Sequence, residues 1–181
     1  MTSKQHTTRI LGGTLKFRTI KQPGEGTRPV AQKIRQAIFD TLGHDLSGLR
    51  AADLYAGSGA LGFEALSLGA ERVTFVERSA QAVRLLEQSA HELGVDAQVH
   101  VAHRPVETEL DRLEQQDIIF FDPPYDACDL TIAARAIEKL SDTGVLVLSC
   151  SSRQKLPEQL GAASMVKSRV YGATQIAYYK K

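Results

Sequence analysis

The segment Phe120-Phe121-Asp122-Pro123-Pro124-Tyr125 runs an apolar stretch into a carboxylate, two prolines and an aromatic ring. Ile118 to Phe121 reads as a strand buried on both faces. Each proline fixes its own φ and drives the residue before it toward extended backbone, so Asp122 and Tyr125 sit on a stiff bend. A lone Asp here could simply cap the next helix, and Pro-Pro could simply be a loop. The full set instead gathers two acceptors, the Asp122 carboxylate and the Pro123 carbonyl, beside a planar ring. That is a holder for a flat group bearing an NH2. An exocyclic base amine is a weak nucleophile because its lone pair is delocalised into the ring. Acceptors on its two hydrogens and a stacked ring would aim that lone pair, with positioning and electrostatics supplying the rate. The base would have to be unpaired or flipped out.

A second pattern lies upstream, in Asp53-Leu54-Tyr55-Ala56-Gly57-Ser58-Gly59-Ala60-Leu61-Gly62. Gly57, Gly59 and Gly62 match G-x-G-x-x-G, and Glu77 follows Gly57 by twenty residues, where its carboxylate can accept from both hydroxyls of a ribose. The glycines alone would also suit a nicotinamide dinucleotide. Asp53 argues against that, since a carboxylate ahead of the turn repels a pyrophosphate. S-adenosylmethionine carries no phosphate, and its sulfonium and ammonium are what an acidic strand end can meet.

These motifs need a frame. Strands are expected at 50–56, 72–77, 97–102, 117–122 and 144–150, and helices at about 59–69, 79–94, 105–115, 129–141 and 153–160. The repeating β-α pattern predicts a doubly wound α/β fold whose mostly parallel sheet opens a ligand crevice at the carboxyl ends of its strands. "ASMVKSRVY" and "TQIAYYKK" add an antiparallel pair around Gly172-Ala173, giving a seven-stranded sheet. Near the amino terminus, Ile10-Leu11 and Leu15 to Phe17 around Gly12-Gly13 read as a β-hairpin. Pro29 suits the first turn of a helix through Leu42, with Val30, Ile34, Ile38 or Ala37, and Leu42 on its apolar face. Residues 1–28 are thus a small basic hairpin extension and residues 29–181 the main domain.

The net charge of +1 on 181 residues hides an asymmetry. Met1 to Arg50 holds nine Lys and Arg against three acids, or +6, which leaves −5 on the remaining 131 residues. A basic arm on an acidic body points to a polyanion, and nucleic acid is the usual one. No apolar run approaches a membrane span and the opening residues are polar, so a cytoplasmic protein with no membrane partner is expected. Cys128 and Cys150 stand in no metal-ligand spacing and read as packing residues. His100 and His103 likewise read as polar contacts, and no metal is expected.

"TRP" followed by "IRQAIFDTL", then "DLYAGSGALGFEALSLGA", "VTFVER", "DPPY" and "YGATQIAYY", resembles the bacterial RsmD-type 16S ribosomal RNA guanine-N2 methyltransferases, from about Arg9 to Tyr179. The resemblance implies a Rossmann-like class I methyltransferase using S-adenosylmethionine on the exocyclic amine of a guanine in small-subunit rRNA, with rRNA or the assembling small subunit as partner; the sequence leaves the oligomeric state open, with a monomer favoured. It implies a cofactor site at Asp53, Tyr55, Ala56, Gly57, Ser58, Gly59, Glu77 and Arg78. His103 and Arg104 hold the region where such proteins place an Asp toward adenine, which leaves adenine to these residues or to main-chain groups. Asp122, Pro123, Pro124 and Tyr125 would hold the guanine, and Arg9, Lys16, Arg18 and Arg28 would face RNA. Three alternatives stay open: an adenine-N6 methyltransferase of DNA, another RNA amino methyltransferase, and a binding module without turnover. No dedicated sequence-reading element accompanies the core, which disfavours the first.

Overall fold

The computed structural model describes residues 6–24, 29–124 and 128–181. Its strands are β1 (Thr7–Arg9), β2 (Thr19–Lys21), β3 (Arg50–Leu54), β4 (Arg72–Glu77), β5 (Val99–His103), β6 (Gln116–Phe121), β7 (Leu140–Ser151), β8 (Gln159–Leu160), β9 (Ala163–Tyr171) and β10 (Thr174–Lys180). The helices are α1 (Pro29–Leu42), α2 (Ala60–Ser67), α3 (Ala80–Leu93), α4 (Val106–Glu109) and α5 (Leu130–Glu138). β3 to β10 form one sheet in the order β5-β4-β3-β6-β7-β10-β9-β8. The five strands from β5 to β7 are parallel, and the last three in that order run antiparallel to their neighbours.

The strand order reverses between β3 and β6, where Leu54 pairs with Phe121. The chain leaves those two strands toward opposite faces, which opens a crevice at their carboxyl ends. One face of the sheet packs Phe75, Phe120 and Val147 against α1, α2 and α3, together with Ile10 and Ile20 of the amino-terminal segment. The other packs Leu54, Phe121 and Leu148 against Val106, Ala133 and Ile137 of α4 and α5. Both faces being covered explains why β3 and β6 are apolar without alternation.

Four elements differ from the sequence-based expectation, each for a local reason. The sheet has eight strands rather than seven, because Gln159 and Leu160 pair with Ser164 and Ala163 at the edge. These residues fall in the expected helix 153–160, which does not form. Pro157 interrupts that stretch and disfavours helix at Leu156, and the Pro157 carbonyl instead accepts the buried Tyr179 hydroxyl at 2.8 Å. The expected helix 105–115 is regular only over Val106–Glu109, then continues as looser turns to Leu113. Helix 129–141 stops at Glu138 because Leu140 already pairs with Gln116, so β7 starts four residues early.

The amino-terminal hairpin also forms elsewhere than expected. Its paired strands are Thr7–Arg9 and Thr19–Lys21, and Ile10 to Arg18 is a folded loop between them. The backbone groups that a sheet partner would have used are taken by α2. Glu64 accepts from the amides of Leu11 and Gly12, and Ser67 accepts from Thr14 and Leu15. Gly13 lies so close to the Ser67 carbonyl that an added Cβ would sit 1.7 Å from it. Arg35 of α1 reaches the same segment and is buried: its Nε lies 3.3 Å from Glu64 as an ion pair, and its Nη2 donates to the Arg9 carbonyl at 2.6 Å. Among the described residues no helix is long and apolar enough to cross a membrane.

Candidate active site

At the end of β3, Tyr55 adopts φ 62, a left-handed conformation that ends the strand and starts the turn. The turn is closed by the Ala56 amide donating to the Val76 carbonyl at 3.1 Å and the Gly59 amide donating to the Ala56 carbonyl at 2.7 Å. The three glycines do different work. A Cβ on Gly59 would lie 2.5 Å from Leu86, and one on Gly62 would lie 2.2 Å from Phe75, so these two let α2 settle onto β4 and α3. On Gly57, at φ +55, a Cβ would meet nothing nearer than 3.9 Å, so this backbone faces open space.

Two acids hold the turn. Glu77, at the end of β4, accepts from the Gly57 amide at 2.9 Å and from the Ser79 amide at 2.7 Å. Asp53 is 2% exposed and accepts from the Gly62 amide at 2.9 Å. Asp53 therefore braces α2 from inside the fold and does not line the crevice.

The crevice is a cavity of about 970 Å³. Tyr55, Gly57, Ser58, Glu77 and Arg78 line one side, and Asp122, Pro123 and Pro124 line the other. Arg104 and Pro105 after β5 also line it, as do Ile34, Arg35 and Ile38 of α1. Ser149 and Cys150 of β7 and the β9–β10 turn, Tyr171 to Thr174, line it as well, and so does the acid Glu107 of α4. The structure thus brings Tyr55, Gly57, Ser58, Glu77, Arg78, Arg104, Asp122, Pro123 and Pro124 to one space. Ala56, Gly59 and His103 are beside it rather than in it, with His103 Nε2 3.2 Å from the Arg78 carbonyl. Arg28 and Tyr125 lie outside the described residues.

Asp122 does not cap the helix that follows. That position belongs to Asp129, whose side chain accepts from the Thr131 amide at 2.8 Å. Asp122 is left free to face the cavity, where it is solvent-accessible while protein crowds its other sides. That desolvation pushes its pKa above the ordinary aspartate value, and a hydrogen bond donated by the Ser149 hydroxyl partly opposes the rise. Burial also raises Asp53 well above its ordinary value; the Gly62 bond resists, and the negative charges of Asp122 and Glu77 add to it. Burial, with Glu107 and Asp129 nearby, pushes the Tyr55 hydroxyl up to about 12. The cavity floor thus carries two carboxylates, Asp122 and Glu77, whose charges are felt by Asp53 buried within the fold. Such a floor repels a pyrophosphate and favours a ligand with a cationic centre, while Glu77 retains acceptor capacity beyond its two amides. S-adenosylmethionine, with its sulfonium, ammonium and ribose hydroxyls, fits this donor and acceptor set and the open backbone at Gly57.

Several lining residues escaped the sequence reading. Ser149 had no motif around it, and the β9–β10 turn, though part of the quoted "YGATQ" segment, carried no role. The only available signal was topological: any residue following an adjacent strand at its carboxyl end reaches the same crevice. Cys128 and Cys150, widely separated in sequence, come together beside the cavity, and both are free thiols. Among the described residues no group of His, Cys, Asp or Glu could hold a metal ion.

The basic arm divides. Arg9, Lys16 and Arg18 are exposed, with Lys16 Nζ 5.1 Å from the centre of the Phe17 ring and Arg18 donating to the Glu92 carbonyl at 2.6 Å. Lys21 is tied to Glu92 at 2.5 Å.

Known proteins share this architecture across the chain. YlbH of Bacillus subtilis, provisionally named as an rRNA methyltransferase, is 33% identical over 181 residues, covering 96% of this chain and 98% of its own. Ribosomal RNA small subunit methyltransferase D of Escherichia coli is 29% identical over 175 residues, covering 94% of this chain and 87% of its own. The solved structure of a Thermus thermophilus hypothetical protein superposes with a TM-score of 0.82 at 29% identity, covering 96% of this chain and 99% of that one. The family described as conserved hypothetical protein 95 matches residues 8–180, and the chain belongs to it, as an RsmD-type methyltransferase.

Proposed function

We propose that this protein transfers a methyl group from S-adenosylmethionine to the exocyclic N2 amine of a guanine in small-subunit ribosomal RNA. The observation that carries the reading is the Asp122-Pro123 corner, held by Ser149 and facing the Gly57 turn across one cavity. The cofactor supplies an electrophilic methyl on a sulfonium. Glu77 would accept from its ribose hydroxyls, and Gly57 and Ser58 would let it approach the backbone closely. Arg78 and Arg104 also line the cavity and would be available to its adenosine. Asp122 and the Pro123 carbonyl each accept one hydrogen of the guanine amine, which turns its lone pair out of conjugation and toward the methyl. Tyr125, by its place in the Asp-Pro-Pro-Tyr motif, stacks on the base. Methyl transfer would break the sulfonium–methyl bond, release a neutral thioether and leave the alkylated nitrogen with a proton to shed, for which Asp122, made more basic by its desolvation, is the adjacent acceptor. A flipped or unpaired guanine is required to reach a corner this recessed. The names of the relatives support rRNA as the substrate class.

The test is transfer of labelled methyl from S-adenosylmethionine to small ribosomal subunits, and to their naked RNA, from cells lacking this protein, followed by nucleoside analysis. The expected product is N2-methylguanosine. Label in another nucleoside would reassign the target atom, and no label with cofactor binding intact would remove the catalytic reading.

A further inference from the structure

Phe17 is 67% exposed, and its backbone sits at φ 71, a region that bulky L residues avoid. Nothing about this loop is loose. The Phe17 amide donates to the Ile10 carbonyl at 3.0 Å, the Arg18 amide to the Leu15 carbonyl at 3.0 Å, and the Ile10 amide to the Arg18 carbonyl at 2.9 Å. The loop is bolted to α2 through Ser67, whose hydroxyl accepts from Leu15 at 2.9 Å and whose carbonyl accepts from Thr14 at 2.8 Å. A rigid framework therefore holds an aromatic ring in water in a strained conformation, an arrangement that costs stability and returns none through packing.

We propose that Phe17 is a stacking platform for an unpaired base of the RNA substrate, away from the guanine that enters the cavity. The inference rests on the rRNA reading above and adds to it a second point of contact. Lys16 and Arg18 flank the ring, and Lys16 Nζ lies over it at 5.1 Å. Arg9 is exposed on the strand opposite, where it pairs with Thr19. Every exposed charge on this strip, Arg9, Lys16 and Arg18, is positive, and the nearby acid Glu92 is already engaged by Lys21. An aromatic face edged by cations suits a nucleotide, with the base on the ring and its phosphates on the Lys and Arg. Among the described residues the other large exposed apolar side chains, Val166 and Val170, offer no such face. The strip also leads to the site: the Arg9 carbonyl accepts from Arg35, and Arg35 lines the cavity.

The chain contains no tryptophan, so Phe17→Trp in the full-length protein supplies a single fluorescent reporter. Titration with single-stranded RNA should quench it, and affinity should equal or exceed that of the wild type. Phe17→Gly relieves the left-handed strain, so it should melt at the same or a higher temperature while binding single-stranded RNA about tenfold more weakly. Its affinity for a duplex of the same sequence should not change, and neither should its affinity for S-adenosylmethionine. Lys16→Ala should instead flatten the salt dependence of RNA binding by about one unit of slope. Wild-type affinity of Phe17→Gly for single-stranded RNA would overturn the platform, as would an equal loss on the duplex. Wild-type protein that binds and methylates rRNA beside a fully active Phe17→Gly would sink this inference alone; wild-type protein that binds no RNA would sink the rRNA reading with it.

Discussion

On the β3–β4 side of the cavity the acids already hold backbone: Glu77 accepts from two amides, with lone pairs to spare, and Asp53 from a third. On the β6–β7 side, among the described residues, Asp122 is held by the Ser149 hydroxyl and otherwise opens onto the cavity. A carboxylate that organises its own backbone makes a preformed seat. One with spare lone pairs facing a space waits for a partner with hydrogens to donate. In the proposed reading the cofactor side is therefore built before anything binds, and the side facing the reacting amine completes itself only on the substrate.

The sharpest way to break that contrast is Asp122→Ala. Transfer should fall by a factor on the order of a hundred to a thousand or more, because an interaction specific to the reacting amine is lost. The dissociation constant for S-adenosylmethionine, measured by calorimetry, should move less than severalfold. A variant that loses the cofactor yet still transfers methyl would reverse the two roles. Glu77→Ala should do the opposite. It loses a ribose acceptor and releases the Gly57 and Ser79 amides, so cofactor affinity should drop about ten- to a hundredfold. The rate at saturating cofactor should stay near the wild-type value, and an unchanged dissociation constant would refute the ribose contact.

Asp53 tests whether the preformed side is held from within. Asp53→Ala leaves the buried Gly62 amide without an acceptor and should lower stability by about 1–3 kcal/mol. Asp53→Asn keeps an oxygen there and removes a buried charge. The folded-state pKa of Asp53 is raised, so its ionised form costs stability above that pKa and the cost disappears once the proton binds. Asp53→Asn should accordingly be at least as stable as the wild type near neutral pH. The gap should begin to close as pH falls through the raised pKa of the wild-type residue and be gone below the ordinary aspartate range. Thermal melts across that range read the effect directly, and a gap that widens on acidification would show that Asp53 is not a charge held at a cost.

How much of this was readable beforehand follows from where each constraint originates. The parallel strands and the two motifs rest on local signals: continuous apolar runs, glycine spacing and proline stiffness. They emerged at or near their expected positions. What stayed hidden depends on partners far along the chain. The Ile10 to Arg18 loop looks like a hairpin until Glu64 and Ser67 take its amides, about fifty residues away. Arg35 looks like one more surface cation until Glu64 buries it. Asp53 was expected to face a ligand, and no local pattern could reveal that the Gly62 amide claims it. Ser149 is the extreme case, an unremarkable serine between Leu148 and Cys150 whose meaning comes only from the register of β7 beside β6.

That register makes Ser149→Ala the finest probe of the comparison. Removing the hydroxyl deletes a bond that stabilises the ionised form of Asp122, so the Asp122 pKa should climb further above its ordinary value. The active form needs both lone-pair acceptance and the capacity to take a proton, so the acid limb of the pH–rate profile should move to higher pH. At a pH well above the shifted value the rate should recover to within severalfold of the wild type, because the Asp122-Pro123 corner is set mainly by the prolines. A rate depressed equally at every pH would mean that Ser149 positions Asp122 rather than tuning it. An unshifted profile at full rate would mean that the open side of the cavity needs no support from β7 at all.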